Sequence, residues 1–168
     1  MTDPVAADFG APFEALAEGA SFETRGRTIT EADVVAFATQ TGDLHPAHTD
    51  ATWAADGPFG ERIAHGMLLL SYAIGLVPLD PARVVALRRV ADAVFKRPVR
   101  IGDTIRVRGR IAALRRAGED AGLVVFAWTI VNQHDRTVAR ASVEALWRRD
   151  ARADRTPDPE AALVPIPL

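Results

Sequence analysis

Three of the four histidines in this 168-residue chain, His45, His48 and His65, share the window from Thr41 to Gly66 with Asp43. The first part of that window reads Thr41-Gly42-Asp43-Leu44-His45-Pro46-Ala47-His48-Thr49-Asp50, and the second Ile63-Ala64-His65-Gly66-Met67. A carboxylate and an imidazole five positions apart, on a loop punctuated by Gly and Pro, can form an acid/base pair whose pKa values neighbours tune toward the working pH. Asp43 and His48 are the candidate pair. Taken alone, Asp43 reads as a loop-capping carboxylate after Gly42, and His45 as a ring that bonds the loop backbone beside Pro46. Asp43, His45 and His48 also have the composition of a metal site with two imidazoles and one carboxylate, although no extended ligand motif surrounds them.

Several elements must hold these groups in place. Ser21 to Thr28 has strand character. Thr30-Glu31-Ala32-Asp33 then opens a helix with Thr30 as N-cap and Gly42 as its end. A loop from Asp43 to Asp50 follows, and Thr49 or Asp50 caps a short helix through Trp53 and Ala54, stopped by Gly57-Pro58-Phe59-Gly60. From Gly66 to Val77 the residues are apolar nearly all round, which predicts a helix buried on most sides and terminated by Pro78. Leu68, Leu69, Leu70, Ile74 and Leu76 are its core stripe.

The second half changes period. Val84 to Val99, Thr104 to Arg115, Leu123 to Asn132 and Thr137 to Trp147 are strand-like, with turns at Gly102-Asp103, Gly118-Glu119-Asp120 and His134-Asp135. One buried helix followed by an antiparallel meander is an α+β pattern in which the sheet wraps the helix. Its open edges are ones a symmetric partner can pair or cover.

Composition narrows the function classes. A 168-residue chain that is 48% hydrophobic can bury one core, so a single domain is expected over 1–148. Its N-terminal extension, 1–19, carries only Phe13, Leu16 and Ala17 as an apolar set and should drape over the surface. Residues 149–168 read as a mobile tail in which Val164 to Leu168 can dock. A net charge of −2 provides no global field for nucleic acid or an anionic membrane. The absence of cysteine removes disulfides and thiolate chemistry and fits a reducing cytoplasm, where the protein is expected. The first residues lack the basic and apolar regions of a secretory signal, and the apolar run from Met67, broken by Ser71 and Gly75, is too short to span a bilayer.

From about Phe22 to Trp147 the chain resembles the MaoC-like, (R)-specific enoyl-CoA hydratases of the hotdog fold. The resemblance rests on Gly42-Asp43, His48, and then His65-Gly66 at the start of the buried helix. It implies that Asp43 and His48 hold one water against the C2=C3 bond of an enoyl thioester. One group takes a proton from the water and the other helps return a proton to C2; which does which stays open, because coupled groups titrate as a pair. The Gly66 N–H, at a helix N-terminus, is the implied donor to the thioester oxygen. His65 is implied to set the helix start.

Two positions depart from the family pattern. Asn usually stands where this chain has His45, and a serine stands where it has Ile74; Ser71 lies one turn earlier. His45, Trp53, Phe59, His65, Tyr72 and Ile74 are the candidate residues around the substrate, with ordinary packing as the alternative for the aromatics.

The resemblance implies reversible hydration of a 2-enoyl-CoA to an (R)-3-hydroxyacyl-CoA. No metal, nucleotide or redox cofactor is expected, since the thioester already activates the double bond. The expected partners are a coenzyme A or carrier-protein thioester and further copies of the chain, as a homodimer or dimer of dimers, with no nucleic acid or membrane. The competitors are a carrier-protein-dependent dehydratase or a thioesterase on the same fold, and a non-catalytic acyl-thioester-binding subunit. Arg106, Arg108 and Arg110 alternate along one strand, as a solvated sheet face or as a patch for coenzyme A phosphates. Arg88, Arg89, Lys96 and Arg97 carry the same ambiguity.

Overall fold

A capping box starts the helix α1 (Glu31–Thr41). Thr30 Oγ1 accepts from the Asp33 N–H at 3.2 Å, while Asp33 Oδ2 accepts from the Thr30 N–H at 2.8 Å and from its hydroxyl at 2.7 Å. The other Asp33 oxygen accepts from Tyr72 OH at 2.6 Å and from Arg27 at 3.1 Å, and the Arg27 guanidinium lies 3.7 Å above the Tyr72 ring. One carboxylate therefore joins β2 (Arg27–Thr28), α1 and the central helix α4 (Gly66–Leu76). Burial works to raise the Asp33 pKa, but the bonds from Tyr72, Thr30 and Arg27 outweigh it and hold it at about 2.

The computed structural model describes residues 5–150. The expected mobile tail, apart from Arg149 and Asp150, lies outside the described residues. Gly42 ends α1 in the left-handed region at φ 76°. The segment after it differs from the expected loop, because Pro46–Thr49 forms a one-turn helix, α2. Pro46 brings a preset φ to its first position, and His45 Nδ1 caps it by accepting from the Ala47 N–H at 3.2 Å. Asp50 then caps α3 (Ala51–Ala55), accepting from the Thr52 and Trp53 N–H groups, both at 2.9 Å.

Helix α4 buries Leu68, Leu69, Leu70, Ala73 and Leu76. Its Met67, Ser71 and Gly75, four residues apart, form one exposed stripe. The strands curve around its buried side. Here the expected simple meander needs correction: β4 (Thr104–Arg116), β5 (Ala121–Val131) and β6 (Thr137–Arg148) form one, but β3 (Val84–Phe95) pairs with β6 at the far edge. The sheet order is β1-β4-β5-β6-β3, with β1 (Ser21–Glu23) on the opposite edge and β2 also pairing β4. Val107, Ile111, Phe126, Trp128, Ile130 and Val143 alternate inward to build the core. The turns fall at the expected residues, with positive φ at Gly102, Gly118 and Asp135.

Outward, Arg106 and Arg108 pair with Glu23 and Asp135, so these two arginines serve an ion-paired sheet face. Arg88 and Arg89 approach Glu144 at 3.9 and 3.7 Å, and Arg97 donates to the Thr137 carbonyl at 2.7 Å. The N-terminal extension is more integrated than expected. The Phe9 ring meets Phe22 at 5.0 Å and Phe126 at 6.1 Å, Phe13 and Leu16 pack against the core, and the Trp147 indole donates to the Ala11 carbonyl at 2.9 Å.

The Asp33 network makes acid stability testable. An unfolded Asp titrates near 3.8, so between that value and about 2 the unfolded chain binds more protons, and stability falls as pH drops through the window. Tyr72→Phe removes a hydrogen bond to a charged group and should cost about 1–2 kcal/mol in urea unfolding at neutral pH, while flattening this acid loss. Unchanged stability at both pH values would show the Tyr72–Asp33 bond to be idle.

Candidate active site

The site is assembled on a strap of residues 61–65. Arg62 reaches both carboxylate oxygens of Glu31 in α1 at 2.7 Å, the Ile63 N–H donates to the Ala47 carbonyl of α2 at 3.0 Å, and the Ala64 N–H donates to the Val99 carbonyl at 2.8 Å. Ile63 also bridges to Arg100. Fixed in this way, the Ile63 carbonyl lies 2.7 Å from His48 Nδ1. A carbonyl can only accept, so Nδ1 carries the hydrogen, and the neutral ring presents its lone pair at Nε2.

His65 ends the strap and is 2% exposed. Its ring stacks on His48 with centroids 3.8 Å apart and planes at 28°, and it meets Phe37 at 5.0 Å. His65 Nε2–H donates to the Asp43 backbone carbonyl at 3.0 Å, while its buried Nδ1 has no hydrogen-bond partner among the described residues. Asp43 directs its exposed carboxylate into the same space. One polar atom each from Asp43, His48 and His65 lies within 4.8 Å of the others. A water bonding at about 2.8 Å to two groups spans such a gap.

Stacking argues against the same cluster as a chelate. An imidazole holds a metal in its own plane about 2.0–2.1 Å from nitrogen, and planes this nearly parallel meet far beyond that reach. The metal set considered from sequence fares no better, because His45 Nδ1 is occupied in capping α2.

Burial lowers the His48 pKa; the Ile63 bond and Asp43 act in the opposite direction, while His65 and His45 add to the lowering. His48 is thus a neutral base at neutral pH. Beside it, the N-terminus of α4 carries no side-chain cap even though His65 occupies the N-cap position, so the N–H groups of its first turn remain available. Gly66 matters here for close approach. A Cβ at this position would stand 2.7 Å from the Phe95 ring, which lies against the helix start.

The other sequence candidates separate. The His45 ring is 6.1 Å from His48 and 5.5 Å, edge-on, from a half-exposed Trp53, so these two border the cluster. Phe59 is exposed in the turn after α3. Tyr72 donates its hydroxyl to Asp33. Ser71 returns its hydroxyl to the Met67 carbonyl at 2.9 Å and, with Arg25, Arg27 and Tyr72, lines a separate cleft of about 260 Å³. Ile74 packs against the core.

Phe95 was absent from the sequence candidates. A bulge after Ala91, with Asp92 at φ 51°, breaks the alternation of β3 and re-aims the ring. Period-two reading therefore carries no signal for it.

An antiparallel sheet curved around one central helix, with an acid/base cluster at that helix's start, is a hotdog fold. The chain belongs to the MaoC-like domain family, whose model matches residues 13–125. It is 39% identical over 105 residues to the 3-hydroxybutyryl-CoA dehydratase of Methylorubrum extorquens, a match covering 61% of this chain and 64% of that one. It is 38% identical over 96 residues to the (R)-specific enoyl-CoA hydratase of Rhodospirillum rubrum, covering 55% of this chain and 64% of that one. The chain thus spans less than two thirds of these relatives, and 29% of a longer one. Among solved structures, a monoamine oxidase regulatory protein from Archaeoglobus superposes with a TM-score of 0.80 at 36% identity, over 86% of this chain and 99% of that one.

The tautomer and burial of His48 set an expected titration. By imidazole 15N NMR its midpoint should fall below 6.5, with the hydrogen on Nδ1 in the neutral form. Because an unfolded histidine takes its proton first, this group makes the fold lose stability as pH falls below about 6.5. A midpoint at or above 6.5 would contradict the assignment.

Proposed function

We propose that the protein catalyses reversible hydration of a 2-enoyl-CoA to an (R)-3-hydroxyacyl-CoA. The observation that carries this reading is the cluster of His48, with Nδ1 tied to the Ile63 carbonyl, the Asp43 carboxylate and His65 beside an uncapped helix N-terminus. The two named relatives, a 3-hydroxybutyryl-CoA dehydratase and an (R)-specific enoyl-CoA hydratase, run this reaction class in its two directions.

A water held between Asp43 and His48 gives one proton to His48 Nε2 as its oxygen bonds to C3. The C2=C3 electron pair moves toward the thioester oxygen, where the N–H groups of the first α4 turn, Gly66 foremost, accept the developing charge. Asp43 holds the water through its second hydrogen. The proton taken by the pair returns to C2, so both groups end as they began. The thioester supplies the activation, and no metal, nucleotide or redox cofactor enters this scheme.

Two copies are the working unit on this reading. Edge strand β3 exposes Leu87, Val90, Val94 and Phe95, an apolar row suited to a second copy of itself. A cytoplasmic setting accords with a chain without cysteine. Among the described residues, no helix is long and apolar enough to cross a membrane.

Loss of the conjugated enoyl absorbance of crotonyl-CoA is the direct assay, with Asp43→Asn and His48→Ala each expected to lower kcat by about 100- to 10,000-fold. Folded parent protein that turns over neither crotonyl-CoA nor the same acyl group on a carrier protein, yet binds them, would replace this reading with a binding role. Light scattering should give the mass of two chains, and Val90→Asp at the β3 edge should shift it to that of one; an unshifted mass would place the contact elsewhere.

A further inference from the structure

Two histidines occupy helix N-caps with nearly the same backbone angles, His45 at φ −55°, ψ 135° and His65 at φ −62°, ψ 139°. His45 turns its Nδ1 onto the first turn of α2 and caps it. His65 does not cap α4. Its Nε2–H goes to the Asp43 carbonyl, its face lies on His48, and its buried Nδ1 has no hydrogen-bond partner among the described residues. Leaving a buried acceptor unsatisfied and forgoing an N-cap both cost stability, so geometry that keeps both losses serves something other than stability.

We propose that His65 is a positioning residue for the acid/base pair: it fixes the Asp43 backbone against the His48 ring and, turned away from its own helix, leaves the α4 amides free for substrate. This rests on the hydratase reading of the same site. The bond to the Asp43 carbonyl sets where that residue's own carboxylate begins, and the stacked ring sets the tilt of His48, whose Nδ1 is already tied to Ile63. The titratable groups around His48 are Asp43 from the segment after α1, His45 from the start of α2 and His65 from the start of α4. Phe37 of α1, on the His65 ring, adds no charge. Two imidazoles 3.8 Å apart resist being cations together, so His65 also helps keep His48 in its basic form.

Two substitutions separate the two contacts. His65→Phe keeps a stacked ring and loses the donor to Asp43; His65→Gln keeps an N–H near the Nε2 position and loses the ring. With crotonyl-CoA, His65→Phe should lose about 100-fold in kcat with little change in KM, the scale of a misplaced catalytic group, and His65→Gln should recover at least about tenfold of that loss. The His48 titration midpoint, followed by 15N NMR, should move upward in His65→Gln and carry the acid limb of the kcat profile with it. Thermal unfolding of both variants confirms that they are folded. Phe and Gln variants equal in kcat, or a His48 midpoint unmoved in His65→Gln, would overturn the proposal. If the parent shows no hydration at all, the hydratase reading fails on that assay, and the His48 midpoint alone decides the positioning role.

Discussion

The site depends on one backbone acceptor, the carbonyl of Ile63. It takes the Nδ1 hydrogen of His48 and thereby decides which nitrogen of that ring is a base. The acceptor is itself immobile, because its strap is held at Glu31, Ala47 and Val99, residues that belong to two helices and to the approach to β4. A loop histidine is usually free to choose its tautomer and tilt. Here the choice is made by secondary structure, through a main-chain group that side-chain substitutions at Ile63 leave in place.

Charge is distributed to the same end. Ion pairs on the outer sheet face engage Arg106 and Arg108, and the partly buried Asp33 carboxylate gathers Tyr72, Thr30 and Arg27 on the side of α1 toward β2. Positive charge is thus balanced away from the imidazole stack. His48, by contrast, lies partly buried among two imidazoles and one exposed carboxylate, surroundings in which the uncharged ring is favoured.

Much of this was legible in the residues. Thr30 announces an N-cap, Gly42 a helix end, and the alternation in Ile105 to Ile111 a strand with one wet face; all three hold. Gly42-Asp43, His48 and His65-Gly66 mark the cluster itself. What escaped was set by contacts distant in the chain. The pairing of β3 with β6 rather than β4 is a topological choice that local periodicity does not encode. The hydroxyl of Tyr72 finds its partner 39 positions away in α1, a contact that no local pattern announces. Phe95 was hidden by a bulge, and α2 by its brevity, since four residues give no period to read. His65 was legible as a helix start but not as a group turned away from its own helix, because residue type and backbone angle are the same in a capping histidine and a diverted one.

The position of β3 also bears on the order in which the molecule can be completed during synthesis. Its ladder is made with β6, whose last residue is Arg148, so a nascent chain carries twelve strand residues with no mate until nearly the whole domain has left the ribosome. In that interval Leu87, Val90, Val94 and Phe95 form an unpaired apolar strand of the kind that recruits neighbours. The Asp92 kink and the charges of Arg88 and Arg89 interrupt that strand, Lys96 flanks its end, and all act before any native contact exists. The irregularity that later aims Phe95 at the helix start thus first serves as a safeguard against self-association in a half-made chain.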